Sequence, residues 1–537
     1  MKHVLYQDRK LTLEDAYCDV PAFHTAIGEK VCTSEVGECW MTYYVHVRLD
    51  EYFSYLSTLK ESDWKPYIIH DEPIRNKVYT AMFLKGERYL DISFYDFDGS
   101  FLPPKFFLTV GLLPASFGTD VELLVSDVPS IESEGEKDEA FQDKGGGFYA
   151  KTVCDIGIEE YYAYLEKVKA AGFQMVLEEP SVLDKRIYTA PFTKDERILE
   201  VTFVSPIQEM YVTVGKGRFS SHLSGPGNVC FKPGLKTTVQ MLEMWNFGNS
   251  FVIRLKNGHF LINDGGSRCE APYLLDYLDS LTGENEIPVV EGWFISHAHG
   301  DHIGVLIELA LDPQWKDRVR VEGIYFNEPS LELYMVDGGA LGATHLMSLV
   351  SRNIRNMNGE PVPFFRPMLG ERYYFTDITV DILMSQERID FANYSGDLND
   401  TSTWLLLTIE GQKVLLGGDG DKSGRKYIMS VFPSNFMVVD VMSQLHHGFN
   451  THNDFTNYCH AKTVLFTCYG DGPKIKRKEN EYLKARAEEW YSWGEGTVVL
   501  TFPYHVGEAE RKPHFDFSKY NEGEQRPTMP NSEEKRS

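Results

Sequence analysis

Hydrophobic and polar positions alternate along the first half of the chain with the periods of one helix and several strands. Tyr52, Tyr55, Leu56 and Leu59 recur at the 3–4-residue spacing of one helix face. An extended stretch precedes this helix and segments rich in aromatic and branched residues follow it, which predicts strands at Tyr44–Arg48, Val78–Leu84, Tyr89–Phe94 and Phe106–Val110. The pattern therefore predicts a small α+β module.

The same pattern occurs a second time, 109 residues further on. Val78–Asp91 aligns with Ile187–Glu200, residue for residue and with several identities. Apolar positions again mark a helix, this time at Tyr161, Tyr164, Leu165 and Val168. The match predicts two tandem α+β repeats, a first module at 42–112 and a second module at 148–217. We interpret the shared residues as packing and turn positions kept from a duplication, although a binding function is an alternative.

The remaining boundaries follow from shifts in composition. Ser130–Gly147 is acidic and then glycine-rich, which is typical of a flexible linker. After about residue 511 the chain becomes polar, which indicates disorder. The predicted segments are an N-terminal segment at 1–41, an acidic, glycine-rich linker at 113–147, a connector at 218–235, a C-terminal domain at 236–510 and a disordered tail at 511–537.

In the C-terminal domain, predicted strands run directly into chemically active residues. A hairpin of Phe251–Leu255 and His259–Asn263 ends at Asp264, and the apolar run Val289–Ile295 is followed by a histidine-rich loop. Later strands at Thr403–Ile409, Lys413–Leu416 and Phe436–Met442 precede Gly417-Gly418-Asp419-Gly420 and His446-His447. We also expect helices near 303–311, 330–336 and 479–491, and late strands at Tyr458–Cys468 and Thr497–Phe502.

Charge and cysteine usage restrict the class of partner. The formal net charge is -26, from 53 basic and 79 acidic residues, which argues against a broad nucleic-acid surface. One basic cluster, Lys474–Lys478, could contact phosphate or simply begin a solvated helix. Residues 1–10 have no apolar signal core, no apolar run is long enough for a membrane span, and the eight cysteines form no CxxC pair. These features predict a cytoplasmic protein with reduced thiols and no membrane contact.

The loop after Val289–Ile295 is the richest source of metal-binding side chains. Its sequence, Ser-His-Ala-His-Gly-Asp-His, places His297, His299, Asp301 and His302 within six residues. Imidazole and carboxylate are the groups that zinc prefers. Manganese is an alternative ion.

This HxHxDH pattern, followed by Ile-Gly, resembles the signature of the metallo-β-lactamase superfamily. The resemblance implies an α+β fold in which an αββα sandwich over 236–510, with the metals at one edge, follows the two repeats. It implies a metal site at His297 and His299, and a second site at Asp301, His302 and either His446 or His447. It further implies that Asp419 bridges the sites, with Asp421 as a competitor, and that Asp264 holds the loop from behind.

The order of motifs looks most like the ComEC-like branch of that superfamily. A separate histidine that completes the first site in many members has no clear counterpart, because the intervening His345 lies in a helical context. At the place of that histidine the chain has Leu-Asn-Asp-Thr-Ser, in which Asn399 would orient a ligand or contact substrate. The resemblance leaves open the number of metals and which histidine of the 446–447 pair binds.

The resemblance implies a hydrolase with two zinc ions that activate water as hydroxide, and Asp301 and Asp419 as its catalytic carboxylates. A small or medium-sized phosphodiester is the favoured substrate. The alternatives are a nuclease, and a binding or scaffold protein with a degraded site. The repeats would shape the substrate mouth or form a homo-oligomer.

Overall fold

The computed structural model describes residues 11–36, 39–70, 72–73, 78–96, 103–113, 121–131, 140–225, 229–245, 248–330, 333–334, 353–386, 398–449, 451–468 and 476–517. These residues form two compact units. The first takes the described residues up to Leu113, and the second takes nearly all of those from Val121 onward.

The first unit is an antiparallel sheet covered by a helix. Its helices are α1 (Leu13–Tyr17) and α2 (Leu49–Lys60), and its strands are β1 (Glu29–Val36), β2 (Cys39–Val45), β3 (Lys65–Ile69), β4 (Val78–Lys85), β5 (Arg88–Tyr95) and β6 (Lys105–Leu112). The strand order is β1-β2-β6-β5-β4-β3. The buried face of α2 consists of the four apolar residues predicted there, Tyr52, Tyr55, Leu56 and Leu59. They pack with the strand residues Leu90, Ile92 and Phe94 in one core.

The other face of this sheet carries a buried carboxyl group. Asp91 is fully buried, and it accepts hydrogen bonds from the Ser93 hydroxyl at 3.0 Å and the Thr80 hydroxyl at 3.2 Å. Burial raises the pKa of Asp91 from 3.8 to about 7, because these hydroxyls offset only part of the lost hydration. Asp91 is therefore protonated in the folded protein over a pH range in which an unfolded chain has lost that proton.

We expect this carboxyl group to make the first unit less stable as the pH rises from about 4 to about 7. In that window the unfolded state binds fewer protons than the folded state, so the free energy of unfolding falls with pH and levels off above the folded pKa. The substitution Asp91→Asn should flatten the slope, measured as the thermal midpoint at several pH values. Asp63→Asn, at an exposed side chain, is the control. An unchanged slope in Asp91→Asn would contradict the assignment.

The second unit begins with a sheet of similar build. Its elements are α3 (Val121–Val125), β7 (Gln142–Asp143), β8 (Phe148–Val153), α4 (Ile158–Ala170), β9 (Gln174–Met175), β10 (Ser181–Leu183), β11 (Ile187–Lys194), β12 (Arg197–Val204) and β13 (Glu209–Lys216). The order is β10-β11-β12-β13-β8-β7, with β9 beside β11. The β11–β12 hairpin pairs Lys194 with Arg197, as β4–β5 pairs Lys85 with Arg88. The duplication itself stays a prediction from the sequence.

This second sheet packs directly on the C-terminal domain through backbone carbonyls. The hydroxyls of Thr189 and Thr202 donate to Leu369 O at 3.0 and 3.2 Å. The glycine-rich stretch before β8 is also fixed: Arg366 donates to Lys144 O at 2.9 Å and to Gly145 O at 3.2 Å. The turn at 144–147, after β7, is therefore docked on Arg366, and the expectation of a flexible linker is wrong for this part.

The C-terminal domain consists of two mixed sheets. The first contains β14 (Thr238–Met241), β15 (Ser250–Arg254), β16 (Phe260–Asp264), β17 (Val289–Ile295), β18 (Arg320–Val321), β19 (Ile324–Phe326), β20 (Phe364–Phe365), β28 (Val498–Thr501) and β29 (Glu510–Arg511). Its order is β20-β19-β17-β16-β15-β14-β28-β29, with β18 beside β17. The second has the order β21-β22-β23-β24-β25-β26-β27, where the strands are β21 (Arg372–Phe375), β22 (Ile378–Met384), β23 (Trp404–Ile409), β24 (Gln412–Leu416), β25 (Val438–Ser443), β26 (His460–Phe466) and β27 (Glu489–Ser492).

The two sheets face each other and carry helices on their outer sides. Phe294 in β17 lies 5.9 Å from the ring of Phe375 in β21, which marks the sheet–sheet interface. The helices are α5 (Ala271–Leu281), α6 (Gly300–Leu311), α7 (Lys422–Val431), α8 (Asn453–Tyr458) and α9 (Lys478–Arg486). Apolar residues of α7 pack on β23 and β24. This layering confirms the predicted αββα sandwich.

Several predicted boundaries differ from the structure. The helix expected at 479–491 ends at Arg486, because Glu489–Ser492 pair with β26 as a strand. The strand expected from Tyr458 begins at His460, after α8. In the described part of the predicted tail, Phe515 and Phe517 contact Tyr273, and Phe517 is buried. Most of the helix expected at 330–336 lies outside the described residues. Among the helices that the structure describes, none combines the length and apolar character needed to cross a bilayer.

Candidate metal centre

The HxHxDH loop connects β17 to α6 and is held there by a close backbone approach. His299 is the N-terminal cap residue of α6, so Asp301 and His302 lie in the first helical turn. A Cβ atom at Gly304 would lie 2.6 Å from the backbone nitrogen of Arg268. The glycine of the Ile-Gly pair is therefore needed for the helix to pack where it does, which directs the loop side chains to one point.

Asp264 holds this loop from behind. Its backbone has a φ of +59°, and its carboxylate is fully buried at the end of β16. It accepts hydrogen bonds from the Ser296 backbone at 2.7 Å, from the Ser296 hydroxyl at 3.0 Å, from Asn249 at 3.0 Å and from His302 Nδ1 at 2.9 Å. The arrangement fixes the His302 ring so that its Nε2 atom points away from Asp264.

Asp419 enters the cluster from the second sheet. Gly418 has a φ of +54°, and a Cβ atom there would lie 2.7 Å from Cβ of Ser296. Asp419 Oδ1 consequently lies 3.2 Å from His302 Nε2. Asp421, the competing carboxylate, has its Oδ1 3.9 Å from Nη2 of Arg425 instead.

The histidine pair follows β25 on a turn that separates the two rings. Both residues have a positive φ, of 50° and 51°, which non-glycine residues rarely adopt. His447 is buried: its Nδ1 donates to Thr467 O at 2.9 Å, and its Nε2 lies 3.3 Å from Asp301 Oδ2 and 3.6 Å from Asp419 Oδ1. The side chain of His446 is 27% exposed, with Nε2 3.5 Å from Asp419 Oδ2. His447 is thus the inner and His446 the outer member.

The structure also describes three further residues predicted for the site, namely His297, His299 and Asn399. His297 is buried, and its Nε2 lies 2.9 Å from Nδ1 of His299. Asn399 is buried in a short 3₁₀ helix, Leu398–Thr401, which is anchored to the loop through Thr403 N and Ser296 O at 2.9 Å. His345 lies outside the described residues.

The electrostatics of the cluster favour positive charge between Asp301 and Asp419. Burial lowers the pKa of His302, but the carboxylates of Asp419, Asp264 and Asp301 outweigh it, and the net pKa lies well above the usual value. Burial raises the pKa values of Asp301 and Asp419, but His302 and His447 lower both below the usual range. Both carboxylates are therefore ionised at neutral pH.

The donor set fits a bound metal. Two overlapping groups, His297–His302–Asp419 and Asp301–His302–His447, each bring three ligand atoms within 4.8 Å of one another. The Nε2 atoms of His302 and His447 are buried and have no hydrogen-bond partner among the described residues. Buried polar atoms of this kind are rare without a ligand, and each ring is oriented through its Nδ1, as metal-binding histidines usually are.

Three supporting residues were not predicted from the sequence. Ser296 connects Asp264 to the loop, Asn249 donates to Asp264, and Thr467 orients His447. Ser296 could have been suspected because it directly precedes the motif. Thr467 lies twenty residues after His447 and is brought there only by the pairing of β25 with β26.

Comparison with known proteins gives a family match over part of the chain. Residues 244–347, about a fifth of the chain, match the model of the Metallo-beta-lactamase superfamily. Among solved structures, one match is Tm1679, described as a metal-dependent hydrolase of the beta-lactamase superfamily. It has 10% sequence identity and a TM-score of 0.28, and the similarity covers 48% of this chain and 95% of that one. No curated protein matches.

The family match over residues 244–347 covers the HxHxDH loop and strands of the first mixed sheet, so this part of the chain is similar to the metallo-β-lactamase superfamily. The ComEC-like branch stays a prediction, as does the cytoplasmic location.

Proposed function

We propose that the chain is a phosphodiester hydrolase with two zinc ions. The observation that carries the metal-dependent chemistry is the convergence of Asp419 with His302 and His447, whose buried Nε2 atoms lie 3.2 and 3.6 Å from one carboxylate oxygen. Five ionisable side chains from three loops come close together here, those of His297, Asp301, His302, Asp419 and His447. So many ionisable groups are seldom brought together without a function.

Under this proposal His297 and His299 would hold one ion, Asp301, His302 and His447 would hold the other, and the Asp419 carboxylate would serve both. Ions bound there would supply Lewis-acid activation of water and of the phosphoryl oxygen. Asp264 and Thr467 keep the two imidazoles of the second group in the tautomer that presents Nε2 as an acceptor.

The outer residues would act on the substrate. Asp301 is only half-buried, and its carboxylate would accept a proton lost from water. That proton then passes to the leaving alcohol when the phosphorus–oxygen bond breaks. His446, whose side chain is partly exposed beside Asp419, would donate a hydrogen bond to a phosphoryl oxygen.

The experiment is a metal-depletion and substrate series. Protein dialysed against a chelator should lose at least about 99% of its activity and regain it with zinc or manganese, as expected when bound metal supplies the nucleophile. Model phosphodiesters should be hydrolysed faster than lactones, thioesters or β-lactams. Elemental analysis near two zinc equivalents supports the two-ion form. A metal content near zero together with no activity on any of these substrates would favour a scaffold protein, whereas equal activity before and after depletion would refute the metal dependence.

A further inference from the structure

The turn that carries the histidine pair continues into an exposed aromatic residue at the edge of the candidate site. Phe449 follows Gly448 and is 40% exposed. Its ring lies edge-on to the ring of His446, with 5.2 Å between the centroids. Because His446 Nε2 is 3.5 Å from Asp419 Oδ2, only one imidazole separates the phenyl ring from the metal-binding carboxylate.

The guanidinium group of Arg477 lies beside the Phe449 ring. Arg477 Nη1 donates a hydrogen bond to Phe449 O at 2.5 Å, and the guanidinium carbon lies 5.8 Å from the centre of the phenyl ring. Arg477 is exposed, as are Lys476 and Lys478 beside it. These residues belong to the basic cluster noted in the sequence, and the structure brings its described part to the site. In a chain with a net charge of -26, this is a local positive edge.

We infer that Phe449 and Arg477 form a recognition edge for a substrate in which a planar ring is joined to a phosphodiester, as in a nucleotide ester. The inference rests on the proposed function and names its substrate class. The planar ring of the substrate would stack on the solvent-exposed part of the Phe449 side chain, because aromatic side chains bind bases through their π-faces with little dependence on base identity. Arg477 would pair with a phosphate oxygen beside the ring.

The geometry also explains why the turn is strained. His446 and His447 both adopt left-handed backbone angles, and strain of this kind is usually retained at functional sites. The turn buries His447, leaves His446 partly exposed and places Phe449 next to it.

The first experiment compares two esters with the same leaving group. Thymidine 5′-(p-nitrophenyl phosphate) and methyl p-nitrophenyl phosphate differ only in the group retained on phosphorus. We expect kcat/KM to favour the thymidine ester by about tenfold, the effect of one base–aromatic stack. In Phe449→Leu the ratio should fall toward one, whereas Phe449→Tyr should keep it. Phe231→Leu, at another exposed phenylalanine, is the matched control.

A second measurement does not depend on hydrolysis. Calorimetry on the metal-depleted protein compares thymidine 5′-monophosphate with methyl phosphate. The nucleotide should bind about tenfold more tightly, and the advantage should be lost in Phe449→Leu. Arg477→Gln should weaken both ligands, with Arg486→Gln as its control. If neither ester is hydrolysed but the nucleotide preference is present, the phosphodiesterase proposal fails and the recognition edge stands.

Three results would overturn the inference. One is a ratio near one in the unaltered protein by both measurements. Another is equal loss of the two esters in Phe449→Leu, with full recovery in Phe449→Met, which would mean that the ring only covers His446. The last is unchanged binding of both ligands in Arg477→Gln.

Discussion

Replacing Asp419 with asparagine is expected to lower kcat/KM by about a thousandfold or more, as for other residues that act as one unit with their neighbours. The carboxylate faces three imidazole Nε2 atoms, those of His302, His447 and His446, at 3.2, 3.6 and 3.5 Å. An amide has nearly the same shape but no negative charge, so it cannot hold a cation between these rings. Steady-state kinetics and elemental analysis would measure the loss.

The chain offers a close control for this substitution. Asp421 lies two residues away at the start of α7, and its carboxylate is directed toward Arg425 rather than the cluster. Asp421→Asn should therefore keep both metal content and turnover. Circular dichroism would verify that each variant is folded. Near-normal turnover in Asp419→Asn, or an equal loss in both variants, would refute the central position given to Asp419.

The part of the site that could be predicted from the sequence is the part encoded locally. Val289–Ile295 and Lys413–Leu416 are short, mostly apolar runs that end before glycine or polar residues, and runs of this length and composition favour strands. The chemistry of the loops after them is visible in the residue types alone. This is why Asp419 and the HxHxDH residues could be named, and why the sandwich could be expected.

The relative position of those residues depends on contacts that no local pattern contains. Whether His446 or His447 faces inward is decided by two left-handed backbone angles and by Thr467 on the neighbouring strand. Whether Asp419 or Asp421 joins the cluster depends on the approach of Gly418 to Ser296, residues more than a hundred positions apart.

Tertiary pairing also overrode local preference elsewhere. Glu489–Ser492 continue a helical pattern in the sequence, yet they form a strand because Leu465 and Phe466 pair with them. Lys144 and Gly145 look like linker residues, yet Arg366 binds their carbonyl groups. Each of these contacts spans more than twenty residues, a distance at which composition carries no information about neighbours.

The substitution Asp264→Asn tests the layer behind the ligands, and we expect it to lower metal affinity by about 10–100-fold, the usual effect of removing an outer-shell partner. The carboxylate accepts hydrogen bonds from four donors, among them His302 Nδ1 and both donors of Ser296. An asparagine offers an NH₂ group to some of these donors, so His302 loses its fixed tautomer and the loop loses an anchor. A chelator competition titration with zinc would measure the change.

Loss of a buried charge also destabilises a protein in general, so this prediction needs a control variant that loses a similar amount of folding stability. Asp381 is similarly buried and pairs with Arg372 at 2.6 Å in the second sheet. Asp381→Asn should lower the thermal midpoint while leaving the zinc affinity unchanged, whereas Asp264→Asn should lower both. Equal zinc affinities in the two variants would mean that Asp264 supports only the fold. A selective loss in Asp264→Asn would mean that the ordering of Ser296 and His302 is part of how this chain binds metal.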